Sequence, residues 1–245
     1  VKSEDGKTNV VNVKFTITTE INPLNQKPHI MLIPNVLALP GDSVYVGFEL
    51  KTQDGGIVHA WADGSTGGLT NEGLEGWVDG DNQYTVNEIG GTGKRIISVG
   101  AYTTREHEKF SQTIGERCTF SNIGPTVDGR LKPQIIAPGS AIVSSMSNSF
   151  KVTTSSVFVE AQSVQFNGDT HYYGYMDGTS MSTPYVTGVI ATMLEHKWEL
   201  TPEEVLDILT QTARSDKFTG EDLPNNEVGY GKIDAYKAML KVLEL

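Results

Sequence analysis

The chain has 245 residues, with 30 acidic against 19 basic side chains and a formal net charge of −11. That length supports one large domain or two small ones around a sizeable core, and 38% hydrophobic with 20% charged residues is a globular composition. No run of about 18 uninterrupted apolar residues occurs, which excludes a membrane-spanning helix. No basic cluster exceeds Lys94-Arg95, which argues against nucleic acid as a partner. The single cysteine, Cys118, excludes an intramolecular disulfide and a cysteine metal cage. The chain opens Val1-Lys2-Ser3-Glu4-Asp5, without Met and without a basic segment leading into an apolar one. It is expected to be a piece of a longer polypeptide.

Residues 1–79 read as short strands and turns. Val10, Val13, Phe15, Ile17 and Thr19 approximate strand alternation, and Val44, Val46, Phe48 and Leu50 repeat it behind the turn signal Pro40-Gly41-Asp42. Between Gly55 and Gly80 lie eight glycines with Trp61 and Trp77, a loop-rich stretch. No helical period of useful length occurs, so a β-sandwich or jelly-roll-like unit is expected over 1–79.

From about residue 80 the texture changes. Arg95 to Gly100 and Gln134 to Ala137 are near-continuous apolar runs, as in strands covered on both faces, the second stopped by Pro138-Gly139. A helix is predicted after Ser180 through Leu194; it is apolar nearly all round and expected to be buried on most sides. A second opens with Thr201 as N-cap, Pro202 at the first helical position and Glu203-Glu204 in the first turn. A third starts near Asp234, with Ala235, Ala238, Met239 and Val242 on one stripe. Strands alternating with buried helices predict an α/β domain over 80–245, its sheet mostly parallel and flanked by helices.

The segment that carries chemistry is Gly178-Thr179-Ser180-Met181-Ser182-Thr183-Pro184, between the strand-like Tyr172 to Tyr175 and the first helix. A serine nucleophile needs an exposed hydroxyl, a rigid mount and nearby N–H donors for an oxyanion. A helix N-terminus supplies all three. Gly178 allows close approach of backbone or substrate, and Pro184 is read as a first-turn proline whose missing N–H costs nothing. Thr179 or Ser180 acting only as an N-cap is the plain alternative.

The seven-residue string resembles the nucleophile motif of the subtilisin-like serine proteases (subtilases). It differs from the Gly-x-Ser-x-Gly elbow, because Ser182 stands at the second glycine. In the same order, Ile96 to Ala101 resembles the family's strand ending in Val-Gly-Ala. Phe120 to Thr126 and Asp128-Gly129-Arg130-Leu131-Lys132-Pro133 resemble its Ser-x-Gly-Pro-Thr and Asp-Gly-Arg-x-Lys-Pro stretches. Ala137-Pro138-Gly139 resembles its Ala-Pro-Gly turn, and Gly229 to Ala235 its closing Gly-x-Gly turn. The aspartate motif, the histidine motif and the Gly-Asn oxyanion segment have no match; Asn122 falls after the Val-Gly-Ala strand, and Gln134 stands where the family usually has Asp.

The resemblance implies a serine-type endopeptidase represented by the C-terminal half of its catalytic domain, residues 80–245, with 1–79 as a β-rich insert. Ser180 is then the nucleophile within Gly178, Thr179, Met181, Ser182 and Pro184, with protein or peptide as substrate and no cofactor or metal. The implied partner is the N-terminal half of the same domain, supplying His and Asp, and the implied location is secreted or cell-envelope. A non-catalytic binding or structural module on a protease-like scaffold is the rival. The five histidines, His29, His59, His107, His171 and His196, read as structural or surface residues. His196 lies 16 residues past Ser180, about 24 Å along a helix. Asp54, Asp63, Glu72, Glu75, Asp79 and Asp81 fail the EF-hand template and read as a solvated acidic loop. Trp61 and Trp77 read as core tryptophans, and Cys118 as a packed or semi-exposed thiol rather than a nucleophile.

Overall fold

Backbone pairing along alternating side chains begins near the N-terminus. A computed structural model describes residues 13–23, 26–36, 46–62, 68–86, 91–108, 113–147 and 159–244. The chain divides into two units, residues 1–59 and 60–245, the division falling upstream of the change of texture read at residue 79.

In the first unit, β1 (Val13–Ile21) and β2 (Pro28–Val36) form an antiparallel ribbon, registered from Val13 opposite Val36 to Ile21 opposite Pro28. The alternation at Val13, Phe15, Ile17 and Thr19 thus marks a real strand, while Val10 lies outside the described residues. The second expected strand is corrected. Val44 and Pro40-Gly41-Asp42 lie outside the described residues, and 46–50 form no strand. Alternation permits a strand but does not supply a ladder partner. Phe48 instead sets its ring edge-on to Phe15 at 5.5 Å. β2 escaped sequence reading because Ile30-Met31-Leu32-Ile33 does not alternate and prolines stand at 28 and 34, where no N–H can enter a ladder.

In the second unit, β3 (Val99–Thr103) and β4 (Ile135–Ser140) pair in parallel, Gly100 opposite Ile136. Both are almost fully buried, as continuous apolar runs require. The other edge of β3 is covered by the loop after it. Cys118 N–H donates to Ala101 O at 2.9 Å and Gly115 N–H to Thr103 O at 2.8 Å. The other edge of β4 takes residues 231–233, with Ile136 N–H donating to Gly231 O and Ile233 N–H to Ile136 O, both at 2.9 Å. β4 also runs through Pro138-Gly139 to Ser140 rather than stopping there, because Pro138 needs no N–H partner at a position facing away from the ladder. A second sheet is antiparallel, in the order β5 (Ile142–Ser145), β7 (Asp169–Met176), β6 (Val159–Phe166). β6 and β7 join through Asn167-Gly168, both at positive φ (52° and 85°), the two-residue hairpin chemistry that those residue types favour.

Three helices follow: α1 (Thr179–His196), α2 (Pro202–Thr212) and α3 (Ala235–Leu243). α2 has the cap read from sequence. Thr201 Oγ1 accepts from Glu204 N–H at 3.2 Å, and Glu204 accepts from Thr201 N–H at 2.8 Å. Asp234 caps α3 by accepting from Lys237 N–H at 2.9 Å. The core joins Ile135 and Ala137 of β4 to Val186 and Met193 of α1, Val205, Ile208 and Leu209 of α2, and Ala238 and Val242 of α3. α1 corrects the expectation of burial on most sides. Ser182, Val186 and Met193 are buried, whereas Thr183, Thr187, Gly188, Ala191 and Thr192 are exposed. Threonine, glycine and alanine read as apolar in bulk but set one face of this helix toward solvent. Among the described residues no helix is long and apolar enough to cross a membrane.

A buried cation ties the 231–233 segment to the loops. Lys232 is 1% exposed; its ammonium donates to Gly115 O at 2.6 Å, pairs with Asp216 and lies 4.8 Å from the Tyr102 ring centre. Burial alone would push the Asp216 carboxyl up, but the bonds from Lys232 and the Phe218 N–H outweigh it and hold that carboxyl below its usual value.

Two outcomes are expected. Val186→Asp places an unpaired charge in the core and prevents cooperative folding, while Thr187→Asp, one residue on, leaves the thermal melt nearly unchanged. The check is thermal unfolding followed by circular dichroism. Asp216→Asn lowers the melting temperature at pH 7. Because the folded-state pKa of Asp216 is depressed, its stabilisation is present above the ordinary carboxylate range and is lost as pH falls through the folded value. The gap between Asp216→Asn and wild type therefore narrows in melts taken at successively lower pH.

Candidate active site

The start of α1 is set by Gly178. Its φ of 143° and ψ of 157° lie in a region that favours glycine, and Met181 N–H donates back to Gly178 O at 3.0 Å. Gly178 is the N-cap and contributes no side-chain cap bond, so neither Thr179 nor Ser180 caps the helix. Thr179 is the first helical residue and Ser180 the second. Ser180 is exposed, its neighbours Thr179 and Met181 half-buried. At this place the first N–H groups of the helix have no intrahelical acceptor and the positive end of the helix dipole is at hand.

Pro184 is the second correction at this site. It lies in the second turn, inside the helix, because the helix begins earlier than a Ser180 cap implies. Its absent N–H is the one that would have bonded the Ser180 carbonyl four residues back.

The first turn is seated on β4. Ser182 is fully buried and donates from Oγ to Ala137 O at 3.1 Å. Gly139 faces it at a distance that only glycine allows. A Cβ there would collide with Ser182 Oγ and stand 2.6 Å from Ala101 Cβ and 3.1 Å from Gly178 O. Gly178 N–H donates to Gly139 O at 2.8 Å. Asp177, just before the helix, accepts from Ala141 N–H at 2.5 Å and from Ser140 Oγ at 3.0 Å. Asp177 was not singled out in the sequence, because its role depends on Ala141 and Ser140, 36 and 37 residues upstream.

The residues behind this seat are also accounted for. Gln134 accepts from Ser98 N–H at 2.7 Å through its side-chain oxygen. Lys132, 2% exposed, donates to Ile96 O at 2.5 Å; burial, then the Arg130 charge, pulls its ammonium below the usual lysine range. Asp128 is held down to about 2 by bonds from Arg130 and Thr126. Cys118 is buried, as a packed thiol should be; burial pushes the thiol up, opposed by its contact with Thr103 Oγ1 at 3.5 Å.

Four of the histidines have described partners or places. His29 pairs with Glu20 at 3.2 Å in the first unit, and His171 lies edge-on to Phe166. His107 lies tilted against the Tyr175 ring at 4.5 Å, and His196 ends α1. Trp61 and Trp77 are 54% and 46% exposed and are not core residues; Trp61 spends its ring N–H on Tyr84 O at 2.7 Å. Among the described residues no group of three or more His, Cys, Asp or Glu side chains is gathered as a metal site.

The family model described as the subtilase family (Peptidase_S8) matches residues 43–231. The chain is 33% identical over 165 residues to the uncharacterized protein aq_aa18 of Aquifex aeolicus (strain VF5), covering 61% of this chain and 70% of that protein. It is 30% identical over 199 residues to the serine protease AprX of Bacillus subtilis (strain 168), covering 81% of this chain and 41% of AprX. Among solved structures, the Clostridium perfringens CspB protease matches at 24% identity and a TM-score of 0.47, over 66% of this chain and 30% of that one. The chain thus spans less than half of AprX.

Gly139→Ala is expected to unseat the first turn of α1, since three neighbours already occupy the space of a Cβ. A drop in unfolding free energy of more than about 1 kcal/mol is the expected reading in urea unfolding. Ser182→Gly in the same chain recovers part of it, by removing one of the three.

Proposed function

The chain belongs to the subtilase family, and on that premise we propose that it carries the nucleophile-bearing part of a serine endopeptidase acting on proteins or peptides. Ser180 Oγ attacks the peptide carbonyl and the Ser180 N–H is one oxyanion donor. A histidine, an aspartate and the second oxyanion donor come from the N-terminal half of the domain. In this reading residues 80–245 form the C-terminal half of the catalytic domain and 1–79 a β-rich insert, and the whole protein is secreted or cell-envelope. The observation that carries the reading is the exposed Ser180 on the first turn of a helix that is seated on β4 through the buried Ser182, hydrogen-bonded to Ala137 O. Gly178, Thr179, Met181, Ser182 and Pro184 form the mount.

The chain by itself is expected to be inactive. A serine hydroxyl without its base is a poor nucleophile at neutral pH, and losing triad members costs on the order of 10⁴–10⁶ in rate, or about 5–8 kcal/mol. A helix N-terminus contributes only about 0.3–2 kcal/mol to a nearby charge. The experiment is labelling by a fluorophosphonate together with peptide hydrolysis, on the 245-residue chain alone and in the full-length parent. Labelling at Ser180 in the parent, abolished by Ser180→Ala, is the expected result. A folded parent that does not label supports the scaffold reading. Hydrolysis by the chain alone, lost in Ser180→Ala, shows instead that a base lies within these residues.

A further inference from the structure

The geometry points to Asp177 as the positioning residue of the Ser180 mount, a role that rests on the reading of Ser180 as nucleophile. The chain meets β4 and β5 through three successive contacts as it enters α1. Ile142 pairs with Met176 in the β5–β7 ladder, and Gly139 O accepts from Gly178 N–H. Between them the ladder is interrupted. Ala141 stands at a φ of 52°, an uncommon conformation for a residue with a Cβ, and it separates β4 from β5. A backbone group turned out of a ladder needs another partner if it is not to be stranded. Asp177 supplies it. One carboxylate oxygen accepts from Ala141 N–H at 2.5 Å and the other from Ser140 Oγ at 3.0 Å.

The carboxylate therefore replaces the missing rung and fixes the approach to the helix on one side of Ser180. On the other side, Ser182 Oγ fixes the helix to Ala137 O. Asp177 and Ser182 lie three residues before and two residues after Ser180 in the sequence. Both bond within residues 137–141. The serine is thereby held at two points on one strand while its own side chain stays exposed. The bonds of Asp177 go to Ser140 and Ala141, so it acts through the backbone that carries Ser180. A shift of about 1 Å at a nucleophile is enough to cost about a hundredfold in rate, so a bond at this place governs turnover more than binding.

Amide hydrogen exchange of the 245-residue chain tests this without any catalysis. Asp177→Ala is expected to speed exchange about tenfold or more across residues 139–142 and 177–182, with α2 and α3 as in wild type. Asp177→Asn keeps an oxygen for Ala141 N–H and restores most of the protection. Asp177→Glu keeps the charge but is one methylene too long, so it behaves as Asp177→Ala and carries the test if that variant does not fold. In the full-length parent, Asp177→Ala lowers kcat about tenfold or more at nearly unchanged KM, and Asp177→Asn recovers it. Unchanged exchange at 139–142 and 177–182 in both Ala and Glu variants overturns the proposal, as does equal acceleration throughout α2 and α3. A wild-type parent that neither labels nor hydrolyses overturns the nucleophile reading alone, because the exchange result still decides what Asp177 holds.

Discussion

The contact between the first turn of α1 and residues 137–141 is the constraint on which the rest of the second unit is arranged. A helix can approach a strand this closely only where the strand lacks a side chain. Gly139 provides that place, with Ser182 Oγ, Ala101 Cβ and Gly178 O all converging on it. The approach brings Ser182 within bonding distance of Ala137 O, so a buried hydroxyl finds its acceptor and the polar cost of burying it is offset. It also sets the axis of α1, and with it Val186 and Met193, against the apolar face that β4 shares with α2 and α3.

Behind that contact, the sheet is widened by loops rather than by long strands, and loops carry backbone groups that a core cannot leave unpaired. Side chains meet that demand. Lys232 reaches Gly115 O and Asp216, Lys132 reaches Ile96 O, and Gln134 satisfies Ser98 N–H. Ser121 Oγ accepts from Ala101 N–H at 2.9 Å on the outer edge of β3. Two nearly fully buried lysines in one small sheet are explained by this: each long stem ends on a carbonyl that no strand reaches. The Gln134 position illustrates the same economy. A neutral amide both donates and accepts, and here it serves the backbone at 96 and 98 from a single side chain.

Much of this unit was legible in the sequence where the cause is local. The caps at Thr201 and Asp234 are local hydrogen bonds written in adjacent residues, and both helices begin where those residues say. The run at 134–137 marked β4 because burial on both faces leaves a continuous apolar signature, whereas the run at 95–100 overlaps β3 only at Val99 and Gly100 and its Ile96 is exposed. What failed is what depends on distant partners. Alternation at 46–50 met no ladder, β4 passed through Pro138-Gly139 because its register allowed it, and the helix start moved to Gly178 because Met181 N–H turned back to it. Asn167-Gly168 was a local signal that went unread, and with it the β6–β7 hairpin. At the candidate site the motif around Ser180 is local in sequence, but Asp177 was not legible, since its two partners lie 36 and 37 residues away.

Pro184 shows why those distant partners matter at Ser180. A proline inside a helix costs about 3 kcal/mol, because it removes one rung and crowds the carbonyl four residues before it. That carbonyl belongs to Ser180. The turn that bears the serine is therefore weaker in helical hydrogen bonding than an ordinary first turn, although it must be more rigid than one if it is to hold a reacting group. The deficit is made up from outside the helix. Gly178 is bonded to Gly139, Ser182 to Ala137, and Asp177 to both Ser140 and Ala141. Tertiary bonds to a buried strand replace the local ladder. The orientation of Ser180 is thus set by β4 and the chain after it, and only secondarily by the helix on which it stands.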